Sequence, residues 1–196
     1  MSHMVTELYS IMPIENIPSV MENGILSHEK AIKLPHKDIS LSDIQGRRDK
    51  VKIGAYNLHQ YANLYFCAHN PMLSRRRDQN DEICVLRVSK NILILPEVVL
   101  TDRNAGCDYR YTSFFKSPQG LHKINFDLVF AEYWTDDDPI EYRRKKAAKC
   151  AEVLVPHCIK TCYILGAYVA NEIAQTNLLN KGFNKPITIN ARMFFM

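Results

Sequence analysis

The spacing of apolar positions near the start of the chain predicts a strand followed by a helix. A short apolar run lies at 8–11, and after it four apolar residues recur at helical spacing: Ile14, Ile17, Val20 and Met21. Apolar residues at this spacing lie on one face of a helix. Gly24 follows them, and glycine often ends a helix in a left-handed conformation. We therefore expect a strand at 8–11 and a helix that ends at a left-handed cap on Gly24.

Short apolar runs bounded by turn residues favour strands through much of the remaining chain. They lie at 64–67, 83–88, 92–95, 98–100, 152–155 and 162–169, with a last edge strand expected within 187–195. Helices are predicted at 142–149 and 171–179, and a turn or short helix begins at 70–73. Since about eight strands outnumber three or four helices and do not alternate regularly with them, the pattern predicts an α+β fold.

Length and composition are typical of one globular domain. The chain has 196 residues, of which 46% are hydrophobic and 23% charged, which suffices for one buried core. We expect the domain to span residues 5–196 and residues 1–3 to be a cloning remnant. No apolar run is long enough to span a membrane and no signal segment opens the chain, so we expect a cytoplasmic protein with no membrane partner.

Charge and cysteine usage narrow the classes of ligand. The net charge of +4 permits a polyanionic partner, and the basic residues cluster at 47–52, 75–77 and 143–149. The six cysteines lack the paired spacing of zinc sites, so we expect no metal and reduced thiols instead. The chain has no glycine-rich phosphate loop, so a bound nucleotide needs another kind of site.

Three local patterns, in this order and spacing, resemble those of a known family. They lie at 8–26, 44–73 and 133–155. The run at 65–73, with residues 44–48 before it, is the most specific part, and residues 101–105 also fit. Together these patterns resemble the DarT family, the toxin halves of DarT–DarG toxin–antitoxin systems.

The resemblance implies both a fold and a reaction. The fold would be the ADP-ribosyltransferase fold, a split β-core with peripheral helices and a cleft for NAD. The reaction would transfer ADP-ribose from NAD to a base of single-stranded DNA, with thymine slightly favoured over guanine. A macrodomain antitoxin of the DarG type would remove the mark. ADP-ribosylation of protein or RNA, a catalytically silent nucleic-acid-binding module and an RNA nuclease are the alternatives.

Two residues carry the catalytic interpretation. Glu152 matches the family glutamate that stabilises the oxocarbenium-like ribose as nicotinamide leaves, and preorganised groups of this kind supply several kcal/mol. Arg48 matches the family arginine; its guanidinium would hold NAD phosphates and lower the pKa of a base N–H. Without the resemblance, a solvated glutamate and a surface basic run are the commoner interpretations.

The resemblance also indicates which residues surround the two substrates. NAD contacts are expected at Ser10, Ile11, Met12, Ser19, Ser27 and Arg48. Ser10 and Met12 depart from the family, which usually has histidine and threonine there, and residues 35–53 would close over NAD.

DNA contacts are expected from basic and aromatic side chains, since cationic grooves and stacked aromatics commonly hold single strands. The basic candidates are Arg75, Arg76, Arg77 and His59. The aromatic candidates, in the long loop before Glu152, are Tyr109, Tyr111, Phe114 and Phe115. Solvated arginines and buried core aromatics are the alternative interpretation. The basic helix at 142–149 is expected to present a solvated face.

Overall fold

The computed structural model describes residues 5–39, 46–106 and 112–196, and its strands form one large sheet and two small ribbons. The strands are β1 (Glu7–Pro13), β2 (Ile25–Leu26), β3 (Lys52–Ile53), β4 (Tyr56–Asn57), β5 (Tyr61–Tyr65), β6 (Ile83–Ser89), β7 (Val99–Thr101), β8 (Phe114–Lys116), β9 (Glu152–Pro156), β10 (Cys158–Ile159), β11 (Ile164–Val169) and β12 (Ile187–Ile189). Most of the apolar runs in the sequence overlap one of these strands.

Short helices surround the sheet. They are α1 (Ile17–Asn23), α2 (His28–Ala31), α3 (Pro71–Ser74), α4 (Phe126–Val129), α5 (Pro139–Ala148) and α6 (Glu172–Asn180). Asn70 caps α3 by accepting hydrogen bonds from the N–H groups of Met72 and Leu73 at 2.9 and 3.1 Å. Such caps supply partners for N–H groups that a first helical turn leaves unpaired. Among the described helices, none is both long enough and apolar enough to cross a bilayer.

The large sheet has the strand order β12-β11-β6-β1-β5-β9-β7-β8. β11 and β12 run parallel, and the other neighbouring strands run antiparallel. Strands and helices are segregated rather than regularly alternating, which confirms the α+β class.

The sheet consists of two halves that meet at a single residue pair. β1 pairs with β6 from Glu7 to Pro13, and β5 pairs with β9 along its length. β1 and β5, in contrast, share only the bridge between Tyr9 and Tyr65. Since the two strands are antiparallel, the end of β1 and the start of β5 diverge beyond that bridge. They leave a wedge between the two half-sheets.

Side-chain packing joins the two halves more extensively than backbone pairing does. One core cluster contains Leu8 and Leu86 from one half together with Leu64 and Val153 from the other, all fully buried. Burial of each large aliphatic side chain stabilises the fold by about 1.5–3 kcal/mol. The wedge can therefore stay open without loosening the core beneath it.

The strand expected at 92–95 is wrong, whereas the edge strand expected within 187–195 is confirmed as β12, which is only three residues long. The run at 92–95 belongs to a 3-10 helix, Lys90–Ile94, which Ser89 caps by accepting from the N–H of Asn91 at 3.2 Å. Within the tail at 187–195 only β12 is a strand, and a 3-10 helix follows at Ala191–Phe194. In both cases a polar side chain pairs locally with the backbone and competes with the sheet ladder.

The aromatic residues expected in the loop before Glu152 divide into two groups. Phe114 and Phe115 lie on β8 and pack against the core, so the loop placement was wrong for them. Tyr109 and Tyr111 lie outside the described residues.

Gly24 ends α1 in a conformation that favours glycine. Its N–H donates to the carbonyl of Val20 at 2.8 Å, which confirms that the helix ends here, but the expected left-handed conformation is wrong. Its φ of 81° is positive, but its ψ of −175° is extended rather than left-handed helical. A Cβ at this position would lie 2.2 Å from the carbonyl oxygen of Ile159.

We predict that Gly24→Ala lowers the free energy of unfolding by about 3 kcal/mol or more, because backbone strain and the steric clash add. Gly182→Ala is the matched control, since Gly182 has the same φ of 81° but open space around it. The control should cost about 1 kcal/mol. Urea unfolding of both variants measures the difference, and equal losses would show that the Ile159 carbonyl moves aside freely.

Candidate functional site

The wedge between the half-sheets forms a cavity of about 480 Å³. One wall is the second half of β1, which contributes Ser10, Ile11 and Met12. The opposite wall is β5, which contributes Tyr61 and Asn63. The split in the sheet is therefore the structural origin of the cleft.

Glu152 lies behind the cavity wall, at the first position of β9, and its exposed fraction is 0%. Its N–H donates to Oγ1 of Thr101 on β7 at 3.0 Å. On the other side it is the register partner of Tyr65 on β5. Both neighbouring strands thus fix the main chain of Glu152, and its carboxylate has little freedom to move.

Arg48 contacts this carboxylate from a separate part of the chain. Its Nη1 lies 3.4 Å from Oε1 and 3.3 Å from Oε2 of Glu152. Arg48 is 6% exposed and lines the cavity, whereas Arg47 beside it is exposed to solvent. The sequence prediction paired Glu152 with Arg48 rather than with Arg47, and these two side chains are the ones brought together.

Asn104 is a third member of this cluster, and the sequence analysis did not single it out. Its Nδ2 donates to Oε1 of Glu152 at 2.9 Å, and its Oδ1 accepts from the N–H of Gly106 at 2.8 Å. The second bond fixes which end of the amide faces the carboxylate. The resemblance at 101–105 was the only signal in the sequence, because Asn104 meets Glu152 only through the fold.

Burial and hydrogen bonding act on the carboxyl of Glu152 in opposite directions. Burial raises its pKa above the ordinary value for glutamate, while the Arg48 guanidinium and the N–H of Ala105 act to lower it. Burial also holds the pKa of the Tyr65 phenol well above its usual range, with Glu152 adding to that effect. The cleft therefore holds a carboxylate that depends on its partners to remain charged.

The residues expected to contact NAD lie in different surroundings. Ser10, Ile11 and Met12 line the cavity. Ser27 is buried between the cavity-lining Leu26 and His28, and its hydroxyl has no hydrogen-bond partner within the described residues.

Ser19 lies away from the cavity, on α1. Its Oγ accepts from Asn23 at 3.5 Å, and it is not among the residues that line the cavity.

The residues expected to contact DNA also lie in different surroundings. Arg75 lines the cavity, whereas Arg76 donates to the carbonyl of Ile39 and Arg77 is exposed.

His59 lies beside the cavity rather than in its wall. Its Nδ1 is 2.9 Å from Asp49, and its ring lies 4.5 Å from that of His28, a cavity residue.

The described parts of the segment at 35–53, expected to close over NAD, are anchored at several points, among them Lys37, Ile39 and Arg48. Asn16 holds the backbone of Lys37 with two hydrogen bonds of 2.8 Å, and Lys37 pairs with Glu82. Residues 36–39 line the cavity, and residues 40–45 lie outside the described residues.

The thiols and imidazoles of the described residues show no arrangement typical of a metal centre. Within residues 5–39, 46–106 and 112–196, no group of three or more histidine, cysteine or acidic side chains is placed to hold a metal ion. Cys84 is buried, and burial raises the pKa of its thiol to about 12.

Known proteins share both the sequence pattern and the fold of this chain. A family model described as ssDNA thymidine ADP-ribosyltransferase, DarT, matches residues 9–195. A fusion of a DNA ADP-ribosyl transferase with a DNA ADP-ribosyl glycohydrolase from Thermosipho africanus is 30% identical over 97% of this chain and 50% of its own length. The chain thus spans about half of that relative. A DNA ADP-ribosyl transferase from Thermus sp. is 27% identical over 74% of this chain and 73% of its own length.

Solved structures show the same fold. DarTG from Thermosipho africanus in complex with ADP-ribose superposes with a TM-score of 0.83 at 28% identity, covering 97% of this chain and 51% of that one. Thermus sp. DarT in complex with ADP-ribosylated ssDNA has a TM-score of 0.83 at 24% identity and covers 97% and 96%. The same DarT with NAD+ has a TM-score of 0.79 at 22% identity and covers 99% and 100%.

We predict that Arg48→Ala makes stability more sensitive to rising pH. Removing the guanidinium removes the largest effect that lowers the pKa of Glu152, so this pKa rises further. An acid whose pKa is higher in the folded chain contributes its full stability below the unfolded pKa and loses it as the pH rises through the folded pKa. Above the unfolded pKa of glutamate the variant should therefore lose more stability with rising pH than wild type does, by about 1.4 kcal/mol per added pKa unit.

Arg47→Ala is the control for this measurement, because it removes the same charge from the exposed neighbour. Urea unfolding across the pH series should give parallel curves for wild type and Arg47→Ala. A parallel curve for Arg48→Ala as well would show that the guanidinium does not hold the pKa of Glu152 down.

Proposed function

This chain belongs to the DarT family of NAD-dependent DNA ADP-ribosyltransferases, and we propose that it transfers ADP-ribose from NAD to a thymine base of single-stranded DNA. The observation that carries the proposal is the buried Glu152 carboxylate, held by Arg48 and Asn104 at the wall of the cleft. The family description, which specifies ssDNA and thymidine, supports the acceptor. The NAD+ and ssDNA complexes of the Thermus protein support the two substrates.

Glu152 stabilises the transition state of the first bond to break. When the bond between ribose C1′ and the nicotinamide nitrogen breaks, its electron pair leaves with neutral nicotinamide and positive charge develops on the ribose. A carboxylate preorganised away from water stabilises that charge far more than one in bulk solvent does. A base nitrogen then bonds to C1′, and its proton passes to solvent.

Arg48 acts electrostatically in this scheme. A guanidinium has a pKa above about 12 and cannot serve as a general base near neutral pH. Both of its contacts to Glu152 use Nη1, and a guanidinium carries five N–H donors. The rest of the group can hold an NAD phosphate and lower the pKa of the attacking base N–H.

The remaining cleft residues orient the substrates. Asn104 keeps Oε1 of Glu152 in place by a hydrogen bond that leaves the carboxylate ionised. Ser10 can donate and accept one hydrogen bond at the NAD side, with shorter reach than a histidine, and Ile11 and Met12 supply apolar contacts. The hydroxyl of Ser27 is buried next to cavity-lining residues and has no hydrogen-bond partner within the described residues, so its hydrogen-bonding capacity is unused. Ser19 lies on α1 away from the cavity, so we expect it to affect NAD binding only by helping to position that helix.

The biological role that fits this activity is the toxin of a toxin–antitoxin pair in the cytoplasm. Its partner would be a macrodomain antitoxin of the DarG type that removes the modification. The Thermosipho africanus relative supports this pairing, since it joins a DNA ADP-ribosyl transferase and a DNA ADP-ribosyl glycohydrolase in one chain.

We predict that Glu152→Gln lowers the rate of DNA labelling at least about 10²–10³-fold, because the amide keeps the shape of the side chain and loses its charge. Glu172→Gln makes the same chemical change at an exposed position on α6 and should label normally. The measurement uses labelled NAD with a single-stranded oligonucleotide, and thermal unfolding checks that both variants are folded. Labelling by folded Glu152→Gln at the wild-type rate would contradict the assignment.

We predict that oligonucleotides without thymine stay unmodified. Oligonucleotides that contain thymine but lack one of the other three bases should gain the mass of an ADP-ribosyl group. A mass measurement after reaction with NAD identifies the acceptor directly. The same oligonucleotide annealed to its complement should be a poor acceptor, because a base edge must reach the cleft unpaired.

Each of the other outcomes of this experiment would change the assigned acceptor or the assigned activity. Modification only of sets that contain guanine would transfer the assignment to that base. Label on RNA or protein instead of DNA would overturn the acceptor class. Release of nicotinamide without any labelled acceptor would leave an NAD-cleaving enzyme.

A further inference from the structure

The basic helix α5 and the residue just after it carry two kinds of cation: those with partners inside the protein and those that face the cleft without a carboxylate partner among the described residues. Arg144 pairs with Glu141 at 3.0 Å, and Lys145 pairs with Asp136. Lys149, just beyond the helix, is buried and donates to the carbonyl of Ala131 at 2.7 Å. Carboxylates thus compensate Arg144 and Lys145, and Lys149 is buried and does not line the cleft.

Arg143 and Lys146 are different. Both line the cleft, together with Ala147 and Cys150, and the spacing of these four residues places them on one face of the helix. Lys146 donates to the phenol oxygen of Tyr142 at 3.1 Å, which leaves its charge uncompensated. Within the described residues, Arg143 forms no ion pair and Lys146 contacts no carboxylate.

Arg75 brings a third cation to the same cavity from a different element. It follows α3, is exposed to solvent and lines the cleft. It too forms no ion pair within the part of the chain that the structure describes. The cleft therefore has three uncompensated cations, whereas the solvent face of α5 is neutralised by acidic residues.

We infer that Arg75, Arg143 and Lys146 form a phosphate clamp that holds the backbone of the acceptor strand beside the buried carboxylate. The inference rests on the proposed function. Arg75 and Arg143 line the cavity from two separate elements and are exposed to solvent, which suits the repeated phosphodiesters of a polymer. Cations that have no internal partner lose little by binding phosphate, and they release counterions from the nucleic acid when they do.

The clamp predicts a specific change in the salt dependence of binding. For single strands, log Kd changes with log salt by about 0.7 per neutralised phosphate. Arg143→Gln with Lys146→Gln should therefore reduce that slope by about 1.4 and weaken binding about tenfold at moderate salt. Arg75→Gln, on a separate element, should reduce the slope by about 0.7 more.

The matched control is Arg144→Gln with Lys145→Gln. It removes the same two charges from the same helix, but from positions already paired with Glu141 and Asp136. Fluorescence anisotropy of a labelled thymine-rich single strand, titrated across salt concentrations without NAD, compares the pairs. Thermal unfolding confirms that each variant is folded. A nicotinamide-release assay gives KM for NAD in parallel.

The clamp is supported if only the cleft-facing pair and Arg75→Gln weaken DNA binding and flatten its salt slope, with KM for NAD unchanged. Equal losses of DNA binding from both pairs of substitutions would show that only the net charge of the protein matters, which would overturn the clamp. A raised KM for NAD with intact DNA binding would assign the cations to the NAD pyrophosphate and also overturn it. Because binding is read without transfer, tight DNA binding by an enzyme that labels no DNA refutes the proposed function separately.

Discussion

Removing a carboxylate from water is the physical constraint around which the cleft is organised. Glu152 is fully buried, and an ionised carboxylate in such surroundings needs compensation by charge and hydrogen bonds. Its partners come from two distant segments: Arg48 in the helical residues 46–48, and Asn104 with Ala105 after β7. Since neither segment alone satisfies the carboxylate, the site is complete only when the fold brings both to the start of β9.

The sequence predicted the elements better than their assembly. Strands such as β1, β6 and β9 follow from apolar runs, because burial needs apolar residues wherever the sheet lies. The wedge does not follow from any such run, since it depends on β1 and β5 meeting only at Tyr9 and Tyr65. The error at 92–95 has the opposite origin: Ser89 supplies a local cap that outweighs the apolar pattern.

The same limit applies to the charges of the site. Sequence motifs identified Glu152 and Arg48, but the cluster at 143–149 gave no means of separating its members. Partners far along the chain or outside the helix decide which cations are compensated, as Asp136 does for Lys145. The expected solvated face is correct for Arg144 and Arg143, although Arg143 also lines the cleft, and it is incorrect for the buried Lys149. Tertiary contacts, rather than composition, therefore determine where positive potential is available to a ligand.

The single bridge between Tyr9 and Tyr65 also affects how the protein should respond to its substrates. A ligand that contacts β1 and β5 together acts as a cross-link between two half-sheets that share little backbone hydrogen bonding. Its binding then adds to the resistance of the whole sheet to opening, by an amount that grows with the logarithm of the ligand concentration above Kd. Amide protons on both walls would exchange more slowly when the ligand is bound. Because the neighbouring strands pair with these walls, their amide exchange would slow as well, although they never contact the ligand.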